Sequence, residues 1–176
     1  MPTSATITIE RLDGPGALDA LPALADILCD CVDGGASVGF LSPLTTARAE
    51  AFWGGVATAV ARGDKALFAA RDGAVIQGTV QLGLALPENQ PHRADVAKLL
   101  VHRRARRRGI AEALMFAAER EAVAEGRTIL TLDTASADAE RLYQRLGWTL
   151  TGIIPGYALN PDGSLCDTAV YWKHIP

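Results

Sequence analysis

The stretch Arg106-Arg107-Arg108-Gly109-Ile110-Ala111 joins an apolar, strand-like run to an Ala-rich helix, and it decides the fold of the chain. The strand-like run covers residues 96–101, and the helix is predicted over residues 111–125. Gly109 allows a backbone turn that a Cβ atom would resist. The helix begins with amides that have no intrahelical partner, and the small Ala111 lets a ligand approach them. The spacing therefore predicts a phosphate-binding turn at a strand-to-helix junction.

The basic run 102–108 has two other interpretations, a solvated surface loop and a nucleic-acid-binding patch. The whole chain carries a formal net charge of −3 and has a sequence pI of about 5.6. A dedicated nucleic-acid-binding domain usually has a pI well above neutrality. Positive charge concentrated at one turn of an acidic protein fits a small polyanion better than a duplex, so we expect no nucleic-acid partner.

Length and composition indicate one globular domain over residues 1–176, with 49% hydrophobic and 21% charged residues. No apolar run approaches the roughly 18 residues that span a membrane. Residues 1–8 lack the basic region and the apolar block of a signal peptide. The three cysteines lack disulfide spacing, and together with the three histidines they form no zinc-ligand pattern. These features predict a cytoplasmic protein without a metal site or membrane association.

Hydrophobic periodicity and turn residues predict seven strands and four helices. Asp72-Gly73 is a strong hairpin signal, and Ser136 is a candidate cap for the last helix. Three consecutive strands without crossover helices argue against a doubly wound nucleotide fold. They indicate a mixed α/β (α+β) domain with a central sheet of about seven strands and helices on both faces. The predicted strands cover residues 6–9, 66–71, 74–86, 96–101, 128–132, 148–153 and 168–172, and the helices cover 17–31, 45–62, 111–125 and the segment between Ser136 and Gly147.

Two motifs resemble the signatures of the GNAT N-acetyltransferase family. Arg106, Gly109 and Ala111 fill the fixed positions of its acyl-CoA-binding pattern Q/R-x-x-G-x-G/A, with alanine where many members carry glycine. The segment 139–148 looks like the second pattern, A-x-x-x-Y-x-x-x-G-F/W, with Tyr143 at the tyrosine position. The order of elements is also similar to the GNAT fold, in which CoA enters a gap between the fourth and fifth strands.

The resemblance implies that acetyl-CoA is the co-substrate and donates an acetyl group to an amine. The turn Arg106, Arg107, Arg108, Gly109, Ile110 and Ala111 would bind the pyrophosphate through backbone amides, with the arginines adding long-range attraction. Leu100 and Val101 would offer main-chain hydrogen bonds to pantetheine. Tyr143 would be the general acid that protonates the departing thiolate. Its alternative role is packing, because it belongs to the apolar stripe of its helix.

The general base is less clearly marked than the general acid. Many family members use a glutamate on the fourth or fifth strand, and this chain has none there. Asp95 and Asp133 are the available carboxylates, and the alternative is that each is a solvated strand-end aspartate. Lys98 interrupts an otherwise apolar strand, which a sheet-edge or snorkelling position would explain.

A narrower resemblance concerns the tabtoxin-resistance acetyltransferases. It implies a small amino-acid-like acceptor, such as the β-lactam amino acid tabtoxinine, with Asp33, Ser37 and Phe40 lining the acceptor side next to the two aspartates. The first rival is a protein Nα- or lysine-acetyltransferase, and the second is a catalytically silent CoA- or nucleotide-sensing domain. A homodimer is the expected assembly. The resemblance rests on segments 32–40, 92–96, 132–134, 155–157, 161–163 and 168–171.

Overall fold

Seven strands and five α-helices make up residues 7–176, the part of the chain that this computed structural model describes. A short 3-10 turn at Arg103–Ala105 follows β4. The strands are β1 (Ile7–Leu12), β2 (Lys65–Asp72), β3 (Val75–Gly83), β4 (Arg93–Val101), β5 (Ile129–Thr134), β6 (Thr149–Leu159) and β7 (Leu165–His174). The helices are α1 (Gly14–Asp19), α2 (Leu21–Asp33), α3 (Thr46–Ala61), α4 (Ile110–Ala124) and α5 (Ala137–Arg145).

The strands form a single mixed sheet in the order β1-β2-β3-β4-β5-β7-β6. The β4–β5 pair is parallel, and every other neighbouring pair is antiparallel. The predicted seven-stranded mixed sheet is therefore confirmed. The predicted hairpin is confirmed too, since β2 ends at Asp72, β3 begins at Val75, and Gly73 between them has a φ of +60°.

Helices cover both faces of this sheet, as the sequence predicts. Side chains alternate along a strand, so neighbouring residues of β2 belong to different cores. Ala66 and Phe68 join the cluster that contains the buried residues of α4. Leu67 and Ala69 join the cluster of α1, α2 and α3. The sheet thus separates an α4–α5 side from an α1–α3 side, and any site in a gap of the sheet opens to both.

The first helical region differs from the prediction. Residues 17–31 were expected to form one helix, but α1 ends at Asp19 and α2 starts at Leu21. Pro22 lies in the first turn of α2, where its missing N–H costs nothing because that amide has no helical acceptor. The apolar stripe continues across the break, so its periodicity did not reveal two helices.

Several strands extend beyond their apolar patterns, whereas β3 ends at Gly83, before its predicted end at 86. β1 extends to Leu12, while Thr6, the first residue of the predicted strand, lies outside the described residues. β6 continues past the predicted end at 153 as far as Leu159, because its neighbour β7 provides hydrogen-bonding partners up to the turn. β6 is an edge strand with mostly exposed side chains, and this is why its outer half lacks a burial pattern.

The sheet opens between β4 and β5. These strands pair only where Arg93–Asp95 meets Ile129–Thr131. β4 then continues to Val101 beside β3, and a bulge at Lys98 bends it. Lys98 has a φ of +51°, a left-handed conformation that is uncommon for any residue other than glycine. The result is the gap that the predicted fold requires between its fourth and fifth strands.

Within residues 7–176, no helix is both long and apolar enough to cross a membrane.

Candidate active site

The turn before α4 has the backbone of an anion-binding turn. Arg107 and Gly109 have φ values of +61° and +76°, both left-handed. Turns that contain left-handed residues present successive amides to an anion. Gly109 is the N-cap residue of α4, and no side chain caps the first amides of that helix. These amides are therefore available to an external phosphate, which the positive end of the helix dipole also favours.

The arginine side chains around this turn are mostly engaged within the protein. Arg108 pairs with Asp72 at 2.7 Å, and Arg106 Nε donates to the Val101 carbonyl at 3.3 Å. Arg107 is exposed and forms no ion pair in the part of the chain that the structure describes. The backbone amides are thus better placed than the side chains to contact an anion.

Asp30 of α2 fixes the segment that leads into the turn. Its carboxylate accepts from the backbone N–H of Arg103 at 2.8 Å and from Arg103 Nε at 2.9 Å. Burial raises the pKa of Asp30, but these hydrogen bonds and the charges of His102 and Arg103 outweigh it, so the pKa is lowered. Asp30 consequently stays ionised at neutral pH and holds the segment against α2.

Val101 presents its main chain to the gap. The His102 N–H donates to the Gln77 carbonyl of β3 at 2.9 Å, and successive residues of a strand face opposite neighbours. Val101 therefore faces away from β3, where the β5 ladder no longer reaches. Leu100, the other residue predicted to contact pantetheine, is buried and pairs with Thr79, so its main chain belongs to the β3–β4 ladder.

Tyr143 lies on α5 and is 5% exposed. Its ring centroid is 5.9 Å from that of Trp148 and 5.8 Å from that of Tyr171. Burial raises the pKa of Tyr143 above its ordinary value of about 10, and the Asp133 carboxylate adds to the rise. The phenol therefore keeps its proton at neutral pH, as a general acid requires. Its ring also packs in the core, so the structure is compatible with both a general-acid role and a packing role for Tyr143.

Asp133 lies where the gap has opened, two residues beyond Thr131, the last residue of β5 that pairs with β4. Its side chain is exposed, while its backbone still pairs with Val170 of β7. Its negative charge raises the pKa of Tyr143 on one side and favours the charged form of Lys98 on the other. Asp133 thus lies within electrostatic range of both groups.

Asp95 is placed differently from Asp133. It lies opposite Thr131, where β4 and β5 are still paired. The Thr131 hydroxyl and the Arg93 guanidinium both donate to its carboxylate, and Arg93 also donates to Thr131 Oγ1 at 2.6 Å. Asp95 therefore helps to link the two strands through Oδ1, which accepts both bonds.

The three predicted acceptor residues have distinct surroundings. Phe40 makes an edge-to-face contact with Phe52 of α3, with ring centroids 5.3 Å apart. Ser37 Oγ donates to the Leu159 carbonyl at 2.9 Å, which ties the segment before α3 to β6. Asp33 is exposed at the end of α2. Burial is the larger cause of the raised pKa of Cys29, and the negative charge of Asp33 adds to it. Phe40 alone of the three packs towards the gap side of α3.

Lys98 is the residue near the gap whose position the sequence did not explain. Its Nζ lies 5.7 Å from the centre of the Phe52 ring. A Cβ atom added to Gly39 would lie 3.7 Å from the same Nζ. β4 is a central strand of the sheet, but at Lys98 it no longer pairs with β5, so this residue lies at a local edge formed by the gap and is partly exposed. The sequence marked this position only by placing a charged residue, Lys98, inside an apolar run.

No cluster of three or more potential metal ligands occurs within the described residues.

A mixed sheet that opens between a parallel strand pair, with an anion-binding turn between the fourth strand and the next helix, is the arrangement expected of an acyl-CoA-dependent N-acyltransferase. The model of the acetyltransferase (GNAT) family matches residues 27–148, and the chain belongs to that family. The chain is accordingly an acetyl-CoA-dependent N-acetyltransferase.

The chain is similar in sequence to one N-acetyltransferase and in fold to several solved structures. An uncharacterized N-acetyltransferase from the hisH–hisA intergenic region of Azospirillum brasilense is 32% identical over 163 residues, which cover 83% of this chain and 95% of that protein. An N-acetyltransferase from Staphylococcus aureus Mu50 superposes with a TM-score of 0.80 at 19% identity, covering 96% of this chain and 98% of that one. A putative acetyltransferase from Salmonella typhimurium, yncA, solved with acetyl-CoA, also gives 0.80, at 17% identity and 97% and 95% coverage.

Proposed function

We propose that the chain transfers the acetyl group of acetyl-CoA to the primary amine of a small, amino-acid-like molecule, a class that includes β-lactam amino acids such as tabtoxinine. The proposal rests on a segment of chain that covers the α3 side of the gap. The segment between α2 and α3 crosses this side and is bonded to the β6–β7 hairpin. An acceptor enclosed in this way is small, whereas a peptide needs an open groove.

Two hydrogen bonds hold the covering segment in place. The Ser42 N–H donates to the Pro161 carbonyl at 2.9 Å, and Ser37 Oγ donates to the Leu159 carbonyl at 2.9 Å. Phe40 lies between these two points and contacts Phe52. The aromatic pair supports an apolar wall beside the acceptor, and the two bonds support a narrow entrance.

In this proposal each part of the site has one task. The amides at Gly109–Ala111 hold the pyrophosphate, and the Val101 N–H, whose own carbonyl already accepts from Arg106 Nε, donates to pantetheine. The acceptor nitrogen attacks the thioester carbonyl carbon, and the C–S bond breaks. Asp133 takes the proton from the amine, and Tyr143 gives its proton to the thiolate. An acceptor that enters as the ammonium loses two protons in all. The first passes by way of Asp133 to solvent before the attack, and the second, which Asp133 takes up as the amide forms, restores the Tyr143 phenol.

Simple acid–base arithmetic supports a need for Asp133. An alkyl ammonium has a pKa near 10.4, so freeing it at pH 7 costs about 4.6 kcal/mol. An α-amine with a pKa near 8 costs only about 1.4 kcal/mol. A carboxylate at the mouth of the gap attracts the ammonium form and accepts its proton, and it is most useful for the more basic amines.

Asp133→Asn is expected to lower kcat/KM for the acceptor by roughly 100-fold, the low end for the loss of a general base. Acetyl-CoA affinity should change little, because the change removes charge on the acceptor side only. Steady-state kinetics with varied acceptor, beside calorimetric titration with acetyl-CoA, give both quantities. Asp95→Asn is the matched comparison, and it should mainly lower the melting temperature, because Asp95 links β4 to β5. A larger kinetic loss in Asp95→Asn than in Asp133→Asn would reverse the two roles.

The acceptor class is tested by a thiol-release screen that compares amino acids and their analogues, polyamines and peptides in parallel. We expect turnover with amino acids or their analogues and little with peptides, because the bonded covering segment leaves no groove. Strong turnover on peptides with none on small amines would establish the protein-acetylating rival. An absence of turnover on every acceptor, with acetyl-CoA bound, would favour the silent CoA-sensing rival.

Location and assembly complete the proposal. All three cysteines are free thiols, which suits a reducing compartment and supports a cytoplasmic location that cell fractionation can test. Exposed apolar side chains on the edge strand β6 support a homodimer, which light scattering at micromolar concentration can test. These side chains are Leu150, Ile153, Ile154, Tyr157 and Leu159.

A further inference from the structure

Two of the three lysines of the chain lie half-buried on the α3 side of the sheet without a carboxylate partner. Lys173, the third, pairs with Glu119 at 2.8 Å. Lys65, at the start of β2, and Lys98, in β4, have no carboxylate within ion-pair distance in residues 7–176. A partly buried ammonium without a counter-ion loses hydration, which the chain here replaces only in part. Such a pair of charges indicates that an anion binds there from outside the chain.

Gln81 on β3 lies beside both lysines and has an unused donor. It is 1% exposed, and it lies opposite Ala97, the residue before Lys98. Its Oε1 accepts from Lys65 Nζ at 3.2 Å, but its buried Nε2 has no hydrogen-bond partner among the described residues. An unsatisfied buried donor destabilises the folded state. The polar network around Lys65 is therefore incomplete in the chain by itself.

Lys98 is held in an unfavourable conformation at this place. Its φ of +51° is disfavoured for a residue with a Cβ atom. Strain of this kind persists where the surrounding structure enforces it, and it concentrates at functional sites. Burial lowers the pKa of Lys98, and the nearby charge of Lys65 lowers it further, whereas Asp133 opposes the change. The two lysines therefore repel each other across the site.

We propose that Lys98 and Lys65, oriented by Gln81, bind the carboxylate of the acceptor while the acceptor amine faces Asp133. The assignment rests on the proposed function, since it concerns a second charged group on the same small molecule. Lys98 lies within electrostatic range of Asp133 and of Lys65, so the site presents negative charge at one end and positive charge at the other. A short amino acid in its zwitterionic form matches this order of charges, whereas a polyamine does not.

Packing alone accounts for only part of the arrangement. The contact between Lys98 and Phe52 is a cation–π interaction that explains where the Lys98 stem lies. It does not explain why a second lysine faces the first, or why a buried glutamine donor beside them lacks an acceptor. One carboxylate between the two ammonium groups accounts for both observations.

Matched pairs of acceptors test the proposal by kinetics. Each pair consists of an L-amino acid and the amine obtained by removing its carboxylate. We expect kcat/KM for the amino acid to exceed that for the amine by roughly tenfold or more, as for a hydrogen-bonded ion pair. In Lys98→Met and Lys65→Met this ratio should fall towards one, mainly through KM, while Lys98→Arg should retain most of it. Methionine keeps the length of the lysine stem, so packing on Phe52 is preserved.

An independent measurement needs no turnover. Protein labelled with ¹³C and ¹⁵N in lysine gives three side-chain signals, and Lys173 serves as the internal reference because its charge is already paired. Adding sodium glutarate at tens of millimolar should shift the Lys98 and Lys65 signals and raise the pKa of Lys98, because an anion stabilises the charged form. Glutaramide, and sodium chloride at equal ionic strength, should leave these signals unchanged.

The outcomes distinguish a failure of the carboxylate site from a failure of the proposed function. Turnover of small amines with equal kcat/KM for both members of each pair overturns the carboxylate site and leaves the small-amine function intact. Turnover of no small amine overturns the proposed function, and the titration then decides on the anion site alone. Lys98 and Lys65 signals that respond equally to glutarate and to chloride overturn the anion site.

Discussion

Gly109→Val is expected to raise the Kd for acetyl-CoA by roughly 100-fold, the largest loss of donor binding for any single change in the turn. The φ of +76° at Gly109 is strongly disfavoured for a β-branched residue, so the turn must open. Opening it removes about two charge-assisted hydrogen bonds from backbone amides to the pyrophosphate, roughly 3 kcal/mol in all. The rise in melting temperature that saturating acetyl-CoA gives should shrink accordingly.

Gly126→Val is the matched control for this change. Gly126 ends the same helix with a φ of +70°, and at both glycines a Cβ would meet nothing within 4 Å. The two variants therefore carry a similar backbone cost and a similar loss of stability, but Gly126 lies at the other end of α4. Calorimetric titration with acetyl-CoA should give a nearly normal Kd for Gly126→Val. Equal losses of affinity in both variants would mean that Gly109 acts through stability and not through the phosphate.

Tyr143→Phe is expected to lower kcat by roughly 100-fold and to leave the Kd for acetyl-CoA nearly unchanged. The ring keeps its contacts with Trp148 and Tyr171, and only the proton donor to the thiolate is lost. Since the pKa of Tyr143 is raised, the wild-type acid stays protonated at alkaline pH. The kcat profile of the wild type should therefore show no loss of a general acid below about pH 10.

Tyr171→Phe is the control for the loss of a hydroxyl from the same aromatic cluster. The Tyr171 hydroxyl donates to Glu140 Oε2 at 2.8 Å, so its removal should lower the melting temperature. It should change kcat far less than Tyr143→Phe does. Unchanged turnover in Tyr143→Phe would assign Tyr143 to core packing alone.

Much of the fold followed from local sequence patterns. Thr45 and Ser136 cap α3 and α5 because their side chains accept the amides three residues on, a signal contained in a few residues. The hairpin at Gly73 and the left-handed Gly109 are equally local. The turn before α4 could therefore be located from the sequence before any long-range contact was known.

Other features depend on strand register, which no short pattern encodes. Asp95 and Asp133 were equivalent candidates in the sequence, and only the point at which β4 and β5 separate distinguishes them. Lys98 looked like an anomaly because the bulge that turns it toward Phe52 arises from its pairing with β3. Ser37 was assigned to the acceptor, but its hydroxyl bonds to β6, more than a hundred residues further along the chain.

A crystal structure with acetyl-CoA tests the central claim most directly, since it shows donor, gap and acid together. We predict the pyrophosphate on the first amides of α4, pantetheine beside Val101, and the thioester sulfur within hydrogen-bonding distance of the Tyr143 hydroxyl. The acetyl group should face Asp133 on the α3 side of the sheet. A thioester that lies away from both Tyr143 and Asp133, with the gap between β4 and β5 left open, would contradict the account.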